Sequence, residues 1–212
     1  MLELQFSLVM LFPWMEYIVR AGWMPDAYHI WIQLLDRRQR RLELVLLSLS
    51  NFTEVLPMYD DSSGSTDSGS PVVQVLYSQE SAVWINVHDL LHFLPTSDCN
   101  EVCFIWACEE TGYRHLYLVT AQILTEVAEP SECVFLQPRI LNKVALTQGN
   151  WEVLAHDLWV DEDKQLVYFM GLRETPLEKH LYVVSLRRPG EVRLLSRPGY
   201  SYSVDFNSVS KF

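Results

Sequence analysis

The chain has 212 residues, of which 49% are hydrophobic and 20% charged, enough apolar material for one sizeable core in a globular protein. Its formal net charge is −11, and the acidic residues are spread along the chain, which argues against a nucleic-acid surface because phosphates would be repelled.

The first fourteen residues, MLELQFSLVMLFPW, form an apolar N-terminal segment that resembles a signal peptide or a membrane anchor. Glu3 and Gln5 interrupt the run, Pro13 ends it short of the roughly 20 residues that a membrane helix needs, and no positive segment precedes it. We therefore expect no membrane association and a cytoplasmic location.

Four cysteines, Cys99, Cys103, Cys108 and Cys133, lie in one third of the chain. Without an export signal, the default is reduced thiols inside the cell, although a secreted disulfide framework would have the same count. No C-x-x-C pair is present, so the spacing does not favour a structural zinc site. We predict no metal and no cofactor.

Short runs rich in aromatic and β-branched residues predict strands, and the whole chain is predicted to be all-β. In chain order the predicted strands are 28–35, 42–49, 83–87, 102–106, 115–120, 166–170 and 181–184. Turns are predicted at Pro25-Asp26, at 110–112, at 161–163 and at Pro189-Gly190. A helical period is present only over residues 2–11.

One composition break interrupts this pattern. Residues 60–71, DDSSGSTDSGSP, contain almost nothing that a core would bury, so we predict a flexible surface insertion. The domain organisation expected from the sequence is therefore an apolar segment over 1–14 and one β domain over 15–212 that carries this insertion.

Nearly the same strand-like sequence occurs twice in the chain, as RHLYLVTA at 114–121 and as KHLYVVSL at 179–186. Each copy follows another strand and a turn, residues 21–49 have the same plan, and 201–206 look like the first strand of a further unit. Repeated antiparallel units that each leave an apolar face uncovered are typical of β-propeller blades. We predict about three four-stranded blades and a stub; the alternative is a β-sandwich with two similar hairpins.

Several ordered segments resemble a known family: VWINVHD at 83–89, TGYRHLYLVT at 111–120, residues 146–186, and RLLSRPGYSYS at 193–203. They are similar to the propeller of the dipeptidyl peptidase IV family, serine peptidases of family S9B, and within it to the cytosolic dipeptidyl peptidases 8 and 9. The opening AGWMPDAYHIWIQLLDR at 21–37 looks like a blade of the same domain.

The resemblance implies a peptidase with an N-terminal eight-bladed propeller and a C-terminal α/β-hydrolase domain that holds a Ser, Asp and His triad. Its substrates would be peptides with proline or alanine at the second position. The resemblance is also compatible with a homodimer of the full enzyme. In this family a propeller arginine and a pair of propeller glutamates hold the substrate. We expect that pair upstream of Met1 and the hydrolase domain downstream of Phe212, so the chain is expected to be inactive alone.

Two motifs imitate catalytic features. Gly199-Tyr200-Ser201-Tyr202-Ser203 resembles the G-x-S-x-G elbow, but its last position is serine and no strand-to-helix context surrounds it, so we predict no catalytic residue. Glu109-Glu110 resembles a carboxylate pair that would clasp an ammonium group. Because both precede Gly112 in a predicted hairpin turn, a solvated acidic turn is the preferred interpretation.

His88 and His92 have H-x-x-x-H spacing, which on a helix would place two imidazoles on one face for a metal ion. The preceding run favours a strand, and no third ligand is evident. The family resemblance instead implies that the loop after Trp84 looks toward the extended substrate pocket. Trp84, His88 and Asp89 are therefore our candidates for substrate-binding residues, with an ordinary polar loop as the alternative.

Six aromatic residues at strand spacing are expected to pack between blades rather than form a ligand platform. They are Trp23, Trp31, Trp151, Trp159, Tyr168 and Phe169. The basic run Arg37-Arg38-Gln39-Arg40-Arg41 is expected to mark an exposed hairpin turn rather than a localisation signal.

From these patterns and the resemblance we predict a non-catalytic propeller portion of a post-proline dipeptidyl aminopeptidase, which walls and gates the substrate cavity. The alternative is a stand-alone binding or scaffold propeller fragment that pairs with a full-length peptidase.

Overall fold

The structure is a computed structural model, and it describes residues 2–54, 72–123 and 134–207. Strands provide nearly all of its regular structure, which confirms the predicted all-β class. In chain order they are β1 Leu2–Leu4, β2 Met15–Trp23, β3 His29–Asp36, β4 Arg41–Ser48, β5 Phe52–Glu54, β6 Val72–Glu80, β7 Leu91–Leu94, β8 Glu101–Cys108, β9 His115–Gln122, β10 Val134–Leu136, β11 Ile140–Ala145, β12 Val153–Asp161, β13 Leu166–Gly171, β14 His180–Ser185 and β15 Arg188–Leu194. The helical elements of the described residues are α1, Leu8–Leu11, and a 3-10 turn, Leu49–Asn51.

The chain divides into two compact units. The described parts of Met1–Asn86, Ser97–Val102 and Ala121–Ile140 belong to the first unit, and those of Val87–Thr96, Cys103–Thr120 and Leu141–Phe212 belong to the second. The predicted insertion at 60–71 lies outside the described residues.

The first unit contains a five-stranded sheet in the order β10-β6-β4-β3-β2, and a two-stranded pair of β1 and β5. The pairs β2 with β3, β3 with β4, and β4 with β6 are antiparallel, whereas β10 runs parallel to β6. Strand β4 is buried along most of its length, because residues on both of its faces are covered. Burial on two faces explains why its sequence, RLELVLLS, reads as a continuous apolar run rather than an alternating one.

The apolar N-terminal segment is part of the core of this first unit. Phe12 is fully buried in a cluster with strand residues such as Leu34 and Val45, and Leu8 and Leu11 pack against that cluster. The helix predicted over residues 2–11 is therefore only partly correct, since 2–4 are a strand and only 8–11 are helical. The boundary between residues 14 and 15 stays a prediction.

The second unit contains a four-stranded sheet in the order β12-β13-β14-β15 and most of another in the order β11-β9-β8-β7; the starts of β8 and β11 and the end of β9 are assigned to the first unit. Residues of both sheets form one core cluster, which includes Leu116 of β9, Leu146 just after β11, and Val167, Phe169 and Tyr182 of the other sheet. Apolar faces that neither sheet would cover by itself are buried in this shared cluster.

The repeated strand has a structural explanation in the second unit. RHLYLVTA and KHLYVVSL fall largely in β9 and β14, which are the third strands of their four-stranded sheets when these are counted from β7 and from β12. Strand β4 holds the corresponding third place when the first unit is counted from β2. The predicted unit of strand, turn and strand is thus the central hairpin of each sheet.

Three local predictions are wrong. Residues 83–87 form no strand, because Val83 and Trp84 are exposed and the backbone N–H of Ile85 donates to the carbonyl of Gln39 in a turn, at 2.6 Å, rather than to a sheet ladder. Residues 201–206 likewise form no strand.

The third misplaced element is a turn. Pro189 and Gly190 lie inside β15, and the turn is formed by Leu186 and Arg187. Proline is tolerated there because β15 is the edge strand of its sheet.

Candidate functional site

Residues 81–90 connect β6 to β7 without regular secondary structure, and they carry all three predicted substrate-binding residues. Trp84 belongs to the first unit, whereas His88 and Asp89 belong to the second. In the first unit the backbone N–H groups of Ser81 and Ile85 donate to the carbonyls of Arg40 and Gln39, at 2.8 and 2.6 Å. These bonds fix the start of the segment on the turn between β3 and β4.

His88 is buried, with 6% of its surface exposed. The backbone N–H of Leu90 donates to its Nδ1 at 3.2 Å, so Nε2 carries the hydrogen that is donated to the carbonyl of Ala107 at 2.6 Å. The ring also meets Trp106 edge-on, with centroids 4.9 Å apart. Both nitrogens therefore bind backbone, and the side chain holds the segment in place.

The electrostatics of His88 agree with this neutral form. Burial, opposed by the hydrogen bond to Ala107 and reinforced by the charge of Arg114, lowers the pKa of His88 from its usual 6.5 to about 4. At neutral pH the imidazole is uncharged and presents no cation to a ligand.

Asp89 and Trp84 are the exposed members of the predicted set. The backbone N–H of Asp89 donates to the carbonyl of Ala155 at 3.2 Å, which ties this position to β12. The indole of Trp84 is 64% exposed, and its Nε1 donates to Oδ1 of Asn86 at 3.2 Å. Whether these residues bind a peptide stays a prediction.

The paired-histidine metal alternative finds no support in the geometry. The Nε2 atom of His92 lies 3.0 Å from Oε1 of Glu162, while both nitrogens of His88 are used by backbone groups. Within the ranges that the structure describes, no group of three or more His, Cys, Asp and Glu side chains is placed to hold a metal ion.

The two glutamates of the acidic turn each have a cationic partner of their own. Arg114 donates to Glu109 at 2.5 Å, and Lys143 donates to Glu110 at 2.6 Å while lying 4.6 Å from the centroid of the Tyr117 ring. Burial raises the pKa of Tyr117 to about 12, so its phenol is neutral beside these charges. The carboxylates do not form a joint clasp for an amine.

Among the described residues, the Ser201 hydroxyl bonds only to backbone: its Oγ accepts from the N–H of Lys179 at 3.1 Å and donates to the carbonyl of Leu177 at 3.3 Å. A different serine contacts a histidine. Ser196 Oγ lies 2.9 Å from Nδ1 of His180, and Nε2 of that ring lies 2.9 Å from Oε2 of Glu178.

Sequence reasoning missed this arrangement of serine, histidine and carboxylate, although the histidine that opens both repeated strands was the available signal. In β9 the same place is taken by His115, whose Nδ1 lies 3.0 Å from Thr147 Oγ1 and whose Nε2 lies 2.9 Å from the carbonyl of Gly149. We name the two arrangements the histidine–hydroxyl clasps.

The aromatic residues divide into buried and exposed groups. Trp151 and Phe169 belong to the core shared by the two sheets of the second unit, with rings stacked at 6.2 Å. Trp159 and Tyr168 contact Phe206, at 4.8 and 5.1 Å between centroids. Trp23, by contrast, is 59% exposed on the edge strand β2.

Comparison with known proteins decides the family. The model of the dipeptidyl peptidase IV (DPP IV) N-terminal region matches residues 5–212. The chain belongs to the dipeptidyl peptidase IV family. The predicted family and fold class, an all-β partial propeller, are thereby confirmed, because the match covers every segment on which the resemblance rested.

Individual members of the dipeptidyl peptidase IV family are similar over most of the chain. Dipeptidyl peptidase 8 of Mus musculus is 41% identical over 211 residues, and that of Homo sapiens is 42% identical; each match covers 91% of this chain and 23% of the relative. A probable dipeptidyl-aminopeptidase B of Aspergillus niger is 44% identical over 129 residues, which are 58% of this chain and 12% of that protein. The chain thus spans 23% of the length of the dipeptidyl peptidases 8 that it matches.

Among the residues that the structure describes, no helix has the length and apolar character that crossing a membrane requires.

Proposed function

We propose that this chain is the non-catalytic propeller portion of a post-proline dipeptidyl aminopeptidase of the serine peptidase class. In this role it walls and gates the cavity through which peptides reach a hydrolase domain. The observation that carries the proposal is the family match over residues 5–212, supported by 41–42% identity to dipeptidyl peptidase 8 over 91% of the chain.

The proposed substrates are peptides with proline or alanine at the second position, and the proposed location is the cytoplasm. Nucleophile and general base would come from the hydrolase domain. For this chain we propose no cofactor, and a homodimer is the proposed assembly of the full enzyme.

The second unit carries the proposed contribution to substrate binding. Asp89 is exposed, and its backbone is tied to Ala155. His88 is the positioning residue, since its two backbone bonds fix the segment on either side of Asp89. Trp84 is the proposed contribution of the first unit, as an exposed ring beside the turn between β3 and β4.

A chimera tests this proposal. Residues 5–212 replace the matching region of mouse dipeptidyl peptidase 8, and two reactions are measured: release of p-nitroaniline from Ala-Pro-p-nitroanilide, and release of the N-terminal dipeptide from a longer peptide that begins with Ala-Pro. We expect the chimera to cleave both substrates and the isolated chain to cleave neither. Asp89→Ala should raise KM for the longer peptide with little change in kcat, because a residue that only binds substrate affects ground state and transition state alike.

Asp157→Ala is the matched control, since Asp157 is also an exposed aspartate of the second unit and lies on β12. Cleavage by the isolated chain would contradict the non-catalytic assignment. Identical kinetics for the Asp89 and Asp157 variants would remove Asp89 from the substrate path while leaving the propeller assignment in place.

The scaffold alternative is tested separately by the size of the native polypeptide. An antibody against residues 179–186 should detect a chain several times longer than 212 residues if the protein is a peptidase. A band at 24.7 kDa would favour the stand-alone fragment.

A further inference from the structure

An open groove of about 500 Å³ in the first unit is lined by Arg38, Arg40, Val83 and Trp84. The two arginines come from the turn between β3 and β4, and the two apolar side chains come from the segment that follows β6. We name this feature the arginine–tryptophan groove. Its volume falls in the range of roughly 300 to 1,000 Å³ that is typical of ligand sites.

The basic wall of the groove is fixed by a hydrogen-bonded turn. The carboxylate of Asp36 accepts the backbone N–H groups of Arg38, Arg40 and Arg41, at 3.2, 2.6 and 2.8 Å. Gln39 lies between the arginines with a φ of 56°, in the left-handed region. Because the Asp36 oxygens bind these backbone groups, the turn is ordered before any ligand arrives.

The apolar wall is attached to the basic one. Nε of Arg40 donates to the carbonyl of Val83 at 2.9 Å, and the N–H of Ser81 donates to the carbonyl of Arg40 at 2.8 Å. Val83 is nevertheless 70% exposed and Trp84 is 64% exposed. The groove thus joins two guanidinium groups to an uncovered apolar surface whose backbone is held in place.

The charges of the basic run are unequally paired. Arg37 lies 3.9 Å from Glu16, and Arg41 lies 2.7 Å from Glu43. Within the described part of the chain, no ion pair joins Arg38 or Arg40 to a carboxylate. Two arginines that no carboxylate of the described residues pairs with are unusual in a chain of net charge −11.

We propose that the arginine–tryptophan groove docks an acidic segment of a partner protein. Its carboxylates would pair with Arg38 and Arg40, since a guanidinium fork matches carboxylate geometry, and a neighbouring apolar side chain would cover Trp84. The apolar wall favours a peptide that carries an apolar side chain, and the net charge of −11 repels the few carboxylates of a short peptide less than the many phosphates of a nucleic acid. This docking role shares Trp84 with the proposed substrate-binding set but depends on Arg38 and Arg40, which the peptidase role does not use, so loss of peptide docking in the arginine variants would leave the peptidase proposal in place.

The test uses the full chain and a fluorescein-labelled peptide, Asp-Glu-Phe-Asp-Glu, with fluorescence anisotropy in low salt as the readout. The isosteric amide peptide, Asn-Gln-Phe-Asn-Gln, is the ligand control. We expect the acidic peptide to bind, and the double variant Arg38→Ala with Arg40→Ala to weaken binding at least about tenfold, because two charge-assisted hydrogen-bonding partners are lost. Trp84→Ala should also weaken binding, whereas Trp84→Phe should restore most of it.

Arg37→Ala is the matched protein control, since it removes one charge from the same turn without touching the groove. It should leave the affinity within about a factor of two. The double variant also removes the Arg40 bond to Val83, and circular dichroism will reveal whether this loss disturbs folding. If it does, the single variant Arg38→Ala, which keeps that bond, replaces the double variant in the test.

Several results would overturn the proposal. They are equal binding of the amide peptide, an equal loss in Arg37→Ala, displacement of the peptide by inorganic phosphate at matched concentration, and stronger binding of single-stranded DNA or anionic vesicles than of the peptide.

Discussion

Nδ1 of His180 lies 2.9 Å from Oγ of Ser196, and the same oxygen accepts the backbone N–H of Leu181 at 3.1 Å. In β9 the hydroxyl of Thr147 likewise meets Nδ1 of His115 and accepts the N–H of the next residue, Leu116, at 2.9 Å. A histidine at the start of the third strand and a hydroxyl from a later segment thus form the same clasp twice. The repetition indicates a structural role, since one copy uses threonine and a backbone carbonyl instead of serine and glutamate.

Removing the hydroxyl of one clasp should destabilise the second unit. In Thr147→Val both the N–H of Leu116 and Nδ1 of His115 lose their partner in a fully buried place, so we expect the free energy of unfolding to fall by about 2 to 4 kcal/mol. Urea denaturation measures the loss. Thr120→Val is the control, because the one contact of the Thr120 hydroxyl within the described ranges is with Cys103, at 3.8 Å; an equal loss there would contradict the clasp.

Ser196 should not react as a nucleophile despite its contact with histidine. His180 is fully buried, and the serine oxygen already accepts the N–H of Leu181 in β14. Attack would require breaking that bond, so we expect a fluorophosphonate probe to leave Ser196 unlabelled in intact-mass and peptide-mapping analysis. Labelling that disappears in Ser196→Ala but persists in Ser201→Ala would show a reactive site and contradict this assignment.

The sequence predicted the central hairpins of the sheets better than their outer strands. Strands β3, β4, β8, β9, β13 and β14 were anticipated, because strands buried along most of their length read as apolar runs. Strand β15, RPGEVRL, lies at a sheet edge with largely exposed side chains, so no apolar run marks it. The edge strand β2, MEYIVRAGW, does contain an apolar run at residues 17–19, which the sequence prediction missed. The run VWINV at 83–87 shows the reverse error, since strand-forming residues there bind a turn rather than a sheet.

Individual site residues were harder to predict than the family. The segment that carries His88 and Asp89 could be singled out by resemblance, but no pattern distinguishes a buried histidine from an exposed one. Burial of His88 depends on Ala107 and Trp106, which are distant in sequence. The arginine–tryptophan groove was missed for the same reason, because Arg40 and Val83 come together only through the fold.

His88 should make the stability of the chain depend on pH. Its pKa of about 4 in the folded chain lies below the usual 6.5 of an unfolded histidine, so the unfolded state binds the proton more readily between these values. The contribution is therefore fully present above pH 6.5 and is lost as pH falls toward 4. We expect a loss of up to about 3 kcal/mol from this residue, measured by urea denaturation at pH 7.5 and 4.5.

The variant His88→Gln isolates this effect, because a glutamine does not titrate. The stability difference between the two pH values should shrink in His88→Gln and stay unchanged in His156→Gln, which removes an exposed histidine from β12. A nuclear magnetic resonance titration in which the His88 ring protonates near pH 6.5 would contradict the neutral, buried form.

Two glycines separate the cost of backbone strain from the cost of crowding. Gly112 has a φ of 92° with no atom within 4 Å of an added Cβ, whereas at Gly149, with a φ of 126°, that Cβ would lie 2.8 Å from Nε1 of Trp151. The indole cannot yield easily, because its Nε1 donates to Gln148 and its ring stacks on Phe169. We expect Gly112→Ala to lower the free energy of unfolding by about 1 kcal/mol and Gly149→Ala by roughly 2 to 4 kcal/mol. Near-ultraviolet circular dichroism should change only for Gly149→Ala; equal losses in both variants would mean that Trp151 moves aside freely.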